Sequence, residues 1–165
     1  MTDYVFIVLL ILHVGAIVGW MGAAIVFVSV VGPSMRAMTP EGRTQFSLNV
    51  VPRYSRYVLG TSVASIIFGV LLYGYSVMPN STVAPTSSGL VWIDAGALLG
   101  VIAFILVVVI VWPSSKKLVR LAKDAKSGGS SGDVEAVQRK VRMGAGIVSG
   151  LLVIVLILMI TGAVI

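Results

Sequence analysis

No charged residue occurs from Tyr4 to Val31, over 57–77 or over 143–165, and Asp94 is the only one in 90–112. A helix rises 1.5 Å per residue, so roughly 20 residues cross the hydrocarbon of a bilayer. The pattern therefore predicts four membrane-spanning helices at about 4–31, 57–77, 90–112 and 143–165. Two polar connections, 32–56 and 113–142, separate the spans within each pair. A short uncharged loop, 78–89, joins the pairs. The fold class is all-α: a four-helix membrane bundle in a single membrane domain, 1–165.

Local signals refine the boundaries. Gly32-Pro33 predicts the end of the first span, because proline removes a backbone donor and clashes with the preceding turn. Thr39-Pro40-Glu41 predicts a helix start, with Thr39 as N-cap and Pro40 in the first position. A surface helix from there to Val50 would turn Phe46 and Val50 to lipid and Arg43 to water. The stretch 52–57, Pro-Arg-Tyr-Ser-Arg-Tyr, is a basic and aromatic interface belt. The second span is rich in small residues (Gly60, Thr61, Ser62, Ala64, Ser65, Gly69), which allow close helix approach. Trp92 and Trp112 bracket the third span, and Pro113 is a point to end or kink it. Over 114–142 the pattern predicts two helical stalks around a Ser/Gly hinge at 127–132. Asp133 or Ser131 would cap the second stalk, and Glu135 would pair with Arg139. Asn80-Ser81-Thr82 is a glycosylation sequon.

Charge sets the orientation. Of 12 Lys and Arg, four lie in the first connection (Arg36, Arg43, Arg53, Arg56) and eight in the long one, with none in the 78–89 loop or at either end. The positive-inside rule places both basic connections in the cytoplasm and both termini outside. The chain is 58% hydrophobic and 11% charged, which is a membrane composition, and a prokaryotic plasma membrane is the expected location. The net charge of +6 then follows from topology and from contact with anionic headgroups, and nucleic acid is not an expected partner. Without cysteine there is no disulfide, thiolate metal site or iron–sulfur cluster. Apart from His13 no base lies beside a nucleophile, and there is neither a phosphate loop nor a carboxylate pair, so the pattern points away from an enzyme. A faint internal repeat is visible. Arg53-Tyr-Ser-Arg56 before Gly60 matches Arg139-Lys-Val-Arg142 before Gly146, and Val31-Gly-Pro-Ser34 matches Val111-Trp-Pro-Ser114.

His13 is the single histidine, and it lies inside the first apolar run. An ionisable ring there is costly without a partner. Trp20 is seven residues on, hence on the same helix face with Ile17, Ala24 and Phe27, beside a small-residue face of Gly15, Gly19 and Ala23.

Leu12-His13, then Trp20 and Gly22, resembles the opening helix of the copper-resistance protein D (CopD) family, where Leu-His precedes Trp-x-Gly-Gly at similar spacing. Arg53-Tyr54-Ser55-Arg56 before a small-residue span resembles that family's Arg-Phe-Ser-Arg. More distantly, the Leu-His…Trp pattern is similar to the HemJ-type protoporphyrinogen oxidases, whose further histidines and lysine this chain lacks. The resemblance covers roughly the first half of the chain and implies copper handling.

Two readings of His13 stand: a metal ligand, or a ring hydrogen-bonded to a neighbouring helix. From helical rise it lies roughly 13 Å from the outer end, Met159 about 9 Å and Asp94 about 6 Å. His13, Met159 and Asp94 would thus form an outward-facing copper site near Tyr73, Tyr75 and Met78. Met159 as core filler and Asp94 as a cap or His13 partner are the bland alternatives. Haem b is the rival cofactor, with His13 as axial ligand and Trp20 beside it. Two His13 rings across a homo-oligomer would also serve. Met35 and Met38 read as surface loop residues. Arg53, Arg56, Arg139 and Arg142 read as contacts to lipid headgroups or a soluble partner. A third reading is a structural accessory subunit of a larger membrane complex.

Overall fold

A proline inside an apolar helix forces a choice: the helix stops, or the preceding turn widens. In the computed structural model, which describes residues 3–79, 81–127 and 132–165 apart from the side chains of Asp133 and Glu135, it widens twice. Helix α1 (Tyr4–Val26) passes through a π-helical turn (Phe27–Val31) into α2 (Gly32–Ala37). Helix α3 (Pro40–Asn49) and helix α4 (Val51–Ser76) follow. Helix α5 (Ser87–Leu106) passes through a second π turn (Val107–Val111) into α6 (Trp112–Lys126), and α7 (Gly132–Val164) ends the chain. Four helical stretches, Tyr4–Ala37, Val51–Ser76, Ser87–Lys126 and Ala136–Val164, are long and apolar enough to cross a membrane. No strand occurs among the described residues.

The predicted stop at Gly32-Pro33 is therefore corrected, and Pro113 likewise lies within a continuous helical stretch. In each case the residue before the proline bonds five residues back, Gly32 N–H to Phe27 O and Trp112 N–H to Val107 O. That wider turn lets the backbone ladder pass a residue that has no donor. Serines just past the prolines bond one turn back: Ser34 Oγ donates to Val30 O and Ser115 Oγ to Val111 O, both at 2.8 Å. The two segments matched by the internal repeat thus take the same local form.

Helix α1 runs antiparallel to α4. The contacts descend from Asp3 with Tyr75, through His13 with Ser65 and Gly19 with Tyr57 and Thr61, to Ala23 with Tyr54. Helix α5 pairs likewise with α7, from Gly89 on Gly162 to Ile110 and Val111 on Gly144. Asp3 thus meets the end of α4, and Gly162 the start of α5. Both ends of the described chain therefore lie at the end of the bundle where α4 hands over to α5. All 12 basic residues lie at the opposite end, on α2, α3, α6 and the first turns of α4 and α7.

The central core takes residues from all four long helices: Trp20, Val58, Ala103, Val107, Val148 and Leu152. Towards the basic end it continues through Phe27, Val141 and Ala145 to Val51, Leu118 and Val137. Lipid is as apolar as these side chains, so inside a bilayer close packing rather than water exclusion holds them together. At the basic end α6 is amphipathic, with Leu118 and Ala122 buried and Lys116, Lys117, Arg120 and Lys123 exposed.

Three expectations about this end are corrected. Phe46 packs beside Val51, Leu118 and Val137 instead of facing lipid. Arg43 is half-buried, and its guanidinium donates to the carbonyls of Met38 and Arg36. Met35 is a buried helical residue, 6% exposed, because α2 continues the first span into the bundle. The Thr39 cap forms as predicted, its Oγ1 accepting from Gly42 N–H. Asn80, Ser131 and the side chains of Asp133 and Glu135 lie outside the described residues, and so do the sequon, the α7 cap and the Glu135–Arg139 pair expected on them.

Candidate functional site

The predicted face of the first helix is the one that enters the bundle. Trp20, Ala24 and Phe27 are 1%, 3% and 5% exposed, while His13 and Ile17 are half-buried at the N-terminal end of the same stripe. Phe27 stacks on Tyr54, with ring centroids 4.8 Å apart, and the Tyr54 hydroxyl donates to Ala23 O at 3.0 Å. At the far end the Tyr75 hydroxyl donates to the Asp3 carboxylate, 3.0 and 2.9 Å from its two oxygens. Asp3 also caps α1 by accepting from Phe6 N–H. The helix carrying His13 is thus pinned to α4 on both sides of the histidine.

His13 itself lies against α4. Its Nδ1 is 2.9 Å from the backbone oxygen of Ser65. A carbonyl only accepts, so Nδ1 carries the proton, and Nε2 of the neutral ring keeps its lone pair. The ring rests on Gly69, where a Cβ would come within 2.8 Å of Cε1 and 3.1 Å of Nδ1. Ser65 and Gly69 stand one helical turn apart, so they seat the imidazole from one side. The hydrogen bond to a neighbouring helix, one of the two readings of His13, is present. It leaves Nε2 available, and a metal-bound histidine normally donates its other ring nitrogen in this way.

The companions lie on other contacts. Met159 packs over Gly96 across the α5–α7 pair, its Cε 3.1 Å from where a Cβ at 96 would stand. Asp94 is exposed on α5 and faces the Tyr73 phenol of α4, while Thr86 caps that helix by accepting from Gly89 N–H. Among the described residues no hydrogen bond or ion pair joins His13 to Asp94 or Met159, and no group of three or more His, Asp or Glu could hold a metal ion. One imidazole nitrogen is thus the donor this chain presents in a defined orientation.

Trp20 is fully inside the four-helix core, and its indole Nε1 has no hydrogen-bond partner. It packs in the core, about 10 Å along α1 from His13. Arg53 and Arg56 are exposed at the start of α4. Arg139 and Arg142 on α7 instead line a cavity of about 250 Å³ that Arg36 and Gln138 also border.

Sequence reasoning missed Ser65 and Gly69 as the seat of His13, and Asp3 as the partner of Tyr75. The small-residue face of the second span was the available signal for the first pair. Nothing local announces the second. Comparison with family models, with curated proteins and with solved structures finds no match for this chain.

Proposed function

We propose that this protein is a multi-pass protein of a prokaryotic plasma membrane that binds or passes copper through His13. Both termini face outward, and the basic end lies in the cytoplasm. The observation that carries the reading is the 2.9 Å bond from His13 Nδ1 to the Ser65 carbonyl, which fixes the tautomer that frees Nε2. The asymmetric charge supports the orientation, because every lysine and arginine lies at one end of the bundle. In this reading copper is cargo. Gly69 and Ser65 hold the ring in place, and the Asp3–Tyr75 and Ala23–Tyr54 bonds keep α1 from sliding past α4.

The test is made on protein purified in mild detergent. Metal content and visible spectrum are recorded as isolated and after reconstitution with Cu(I), in wild type and in His13→Ala. The proposal expects copper in the wild type and its loss in the variant. A Soret band lost in His13→Ala would replace copper with haem b on the same nitrogen. Neither ligand in the wild type would leave the accessory-subunit reading in place of both.

A further inference from the structure

The cavity at the basic end is lined by residues far apart in sequence. Arg36 comes from α2, while Gln138, Arg139 and Arg142 come from the first turns of α7. Phe27, Met35 and Leu118 close it on the apolar side. Gly32, at the exit of the first π turn, makes room for one wall, since a Cβ there would lie 3.4 Å from Arg142 Cδ. No carboxylate appears among the described residues lining it. The Gln138 amide nitrogen is buried and has no hydrogen-bond partner. A buried donor without an acceptor is destabilising, and arginines lining one cavity with no described carboxylate between them repel one another. Both penalties vanish together if an anion with several acceptor oxygens enters.

We propose that this cavity is a binding site for a phosphate ester. Arg36, Arg139 and Arg142 grip the phosphate oxygens and the Gln138 amide donates a further hydrogen bond. Arginine suits this role because its planar fork matches phosphate oxygens two at a time. The apolar wall of Phe27, Met35 and Leu118 accommodates the ester's carbon side. The cavity lies at the end of the bundle where the spans give way to basic, amphipathic helices. The phosphate of an anionic lipid reaches that depth from the bilayer, and a soluble phosphate reaches it from the aqueous side. The site is independent of His13 and stands whether or not copper binds there.

The full chain, purified in a neutral detergent and stripped of lipid, distinguishes these sources. Thermal unfolding is followed at constant ionic strength in two titrations, with inorganic phosphate replacing chloride and with phosphatidylglycerol added to the micelles. A saturable rise in Tm in either series is expected, because a ligand that binds only the folded state stabilises it. The series that saturates identifies the source. Arg139→Ala/Arg142→Ala should weaken the half-saturating concentration at least tenfold. Gln138→Leu guards against a folding defect: it should unfold no earlier than wild type without ligand, yet gain less from the ligand. Arg53→Ala/Arg56→Ala, outside the cavity, should respond as wild type does. No saturable response in either series, or equal losses in the Arg53/Arg56 and Arg139/Arg142 variants, would overturn the proposal.

Discussion

The Nδ1 of His13 lies 2.9 Å from the carbonyl oxygen of Ser65 on the facing helix, and this contact decides which imidazole nitrogen is left to act. The carbonyl requires a proton on Nδ1, so Nε2 is a lone-pair donor as long as α1 and α4 keep their register. The consequences run through Gly69, Asp3, Tyr75 and Trp20, each of which holds or bounds that register.

Gly69→Ala tests the seat of the ring. The added methyl would stand 2.8 Å from His13 Cε1, and a flat ring cannot yield without leaving Ser65. Overpacking of this kind costs about 1–3 kcal/mol. The variant should unfold earlier in detergent and bind metal more weakly. Combined with His13→Ala, the substitution should lose most of its penalty, because the ring it strikes is gone. Strict additivity of the two substitutions in thermal unfolding would contradict the contact.

The Asp3–Tyr75 bond predicts a ranking. Tyr75→Phe removes one tie between α1 and α4. Asp3→Ala removes that tie and also the N-cap of α1 at Phe6 N–H. Asp3→Ala should therefore lower the unfolding midpoint further than Tyr75→Phe. Asp3→Asn, whose amide oxygen can still accept from Phe6 N–H and from the Tyr75 hydroxyl, should cost least of the three. An equal effect of Asp3→Ala and Tyr75→Phe would mean that the cap adds nothing.

Trp20 separates packing from hydrogen bonding. Its ring is 1% exposed, and its Nε1 has no partner. Trp20→Ala opens a cavity in the core shared by all four long helices and should cost about 3–5 kcal/mol. Trp20→Phe sacrifices no hydrogen bond and should cost clearly less. Comparable losses, read from denaturant titration in detergent, would reveal a partner for the indole N–H.

Gly162 is where α5 and α7 touch backbone to backbone. A Cβ there would lie 2.7 Å from Gly89 O and 2.8 Å from Ile93 Cγ1. Gly162→Ala should push the helix ends apart at a cost of about 1–3 kcal/mol. Metal binding at His13, on the other helix pair, should be unchanged. A parallel loss of metal binding would show that the two pairs move as one.

Much of this was legible in the sequence. Four apolar runs, with Asp94 the one charge in them, are enough to place four long helices, and a spacing of seven puts His13, Trp20 and Phe27 on one inward stripe. The Thr39 cap is readable because capping is local. The π turns are not, since Pro33 and Pro113 carry a stop signal that only a widened preceding turn cancels. The burial of Phe46 and Met35 is hidden for another reason. Their neighbours Leu118, Val137 and Arg142 come from segments some 70 to 110 residues later, and no periodicity in the first connection reveals them. The site divides in the same way. His13 stands out as an expensive residue, but Ser65 and Gly69 become its seat only through the register of two antiparallel helices. Depth along separate helices grouped Met159 and Asp94 with His13. Helix rotation places Met159 on Gly96 and Asp94 opposite Tyr73.

The central claim is that Nε2 of His13 is a copper ligand. Competition for Cu(I) between the purified protein and a chromophoric chelator measures this most directly. Wild type should withdraw Cu(I) from the chelator with a defined stoichiometry, and His13→Ala should withdraw at least tenfold less. Equal competition by the two proteins, or none by the wild type, would contradict it.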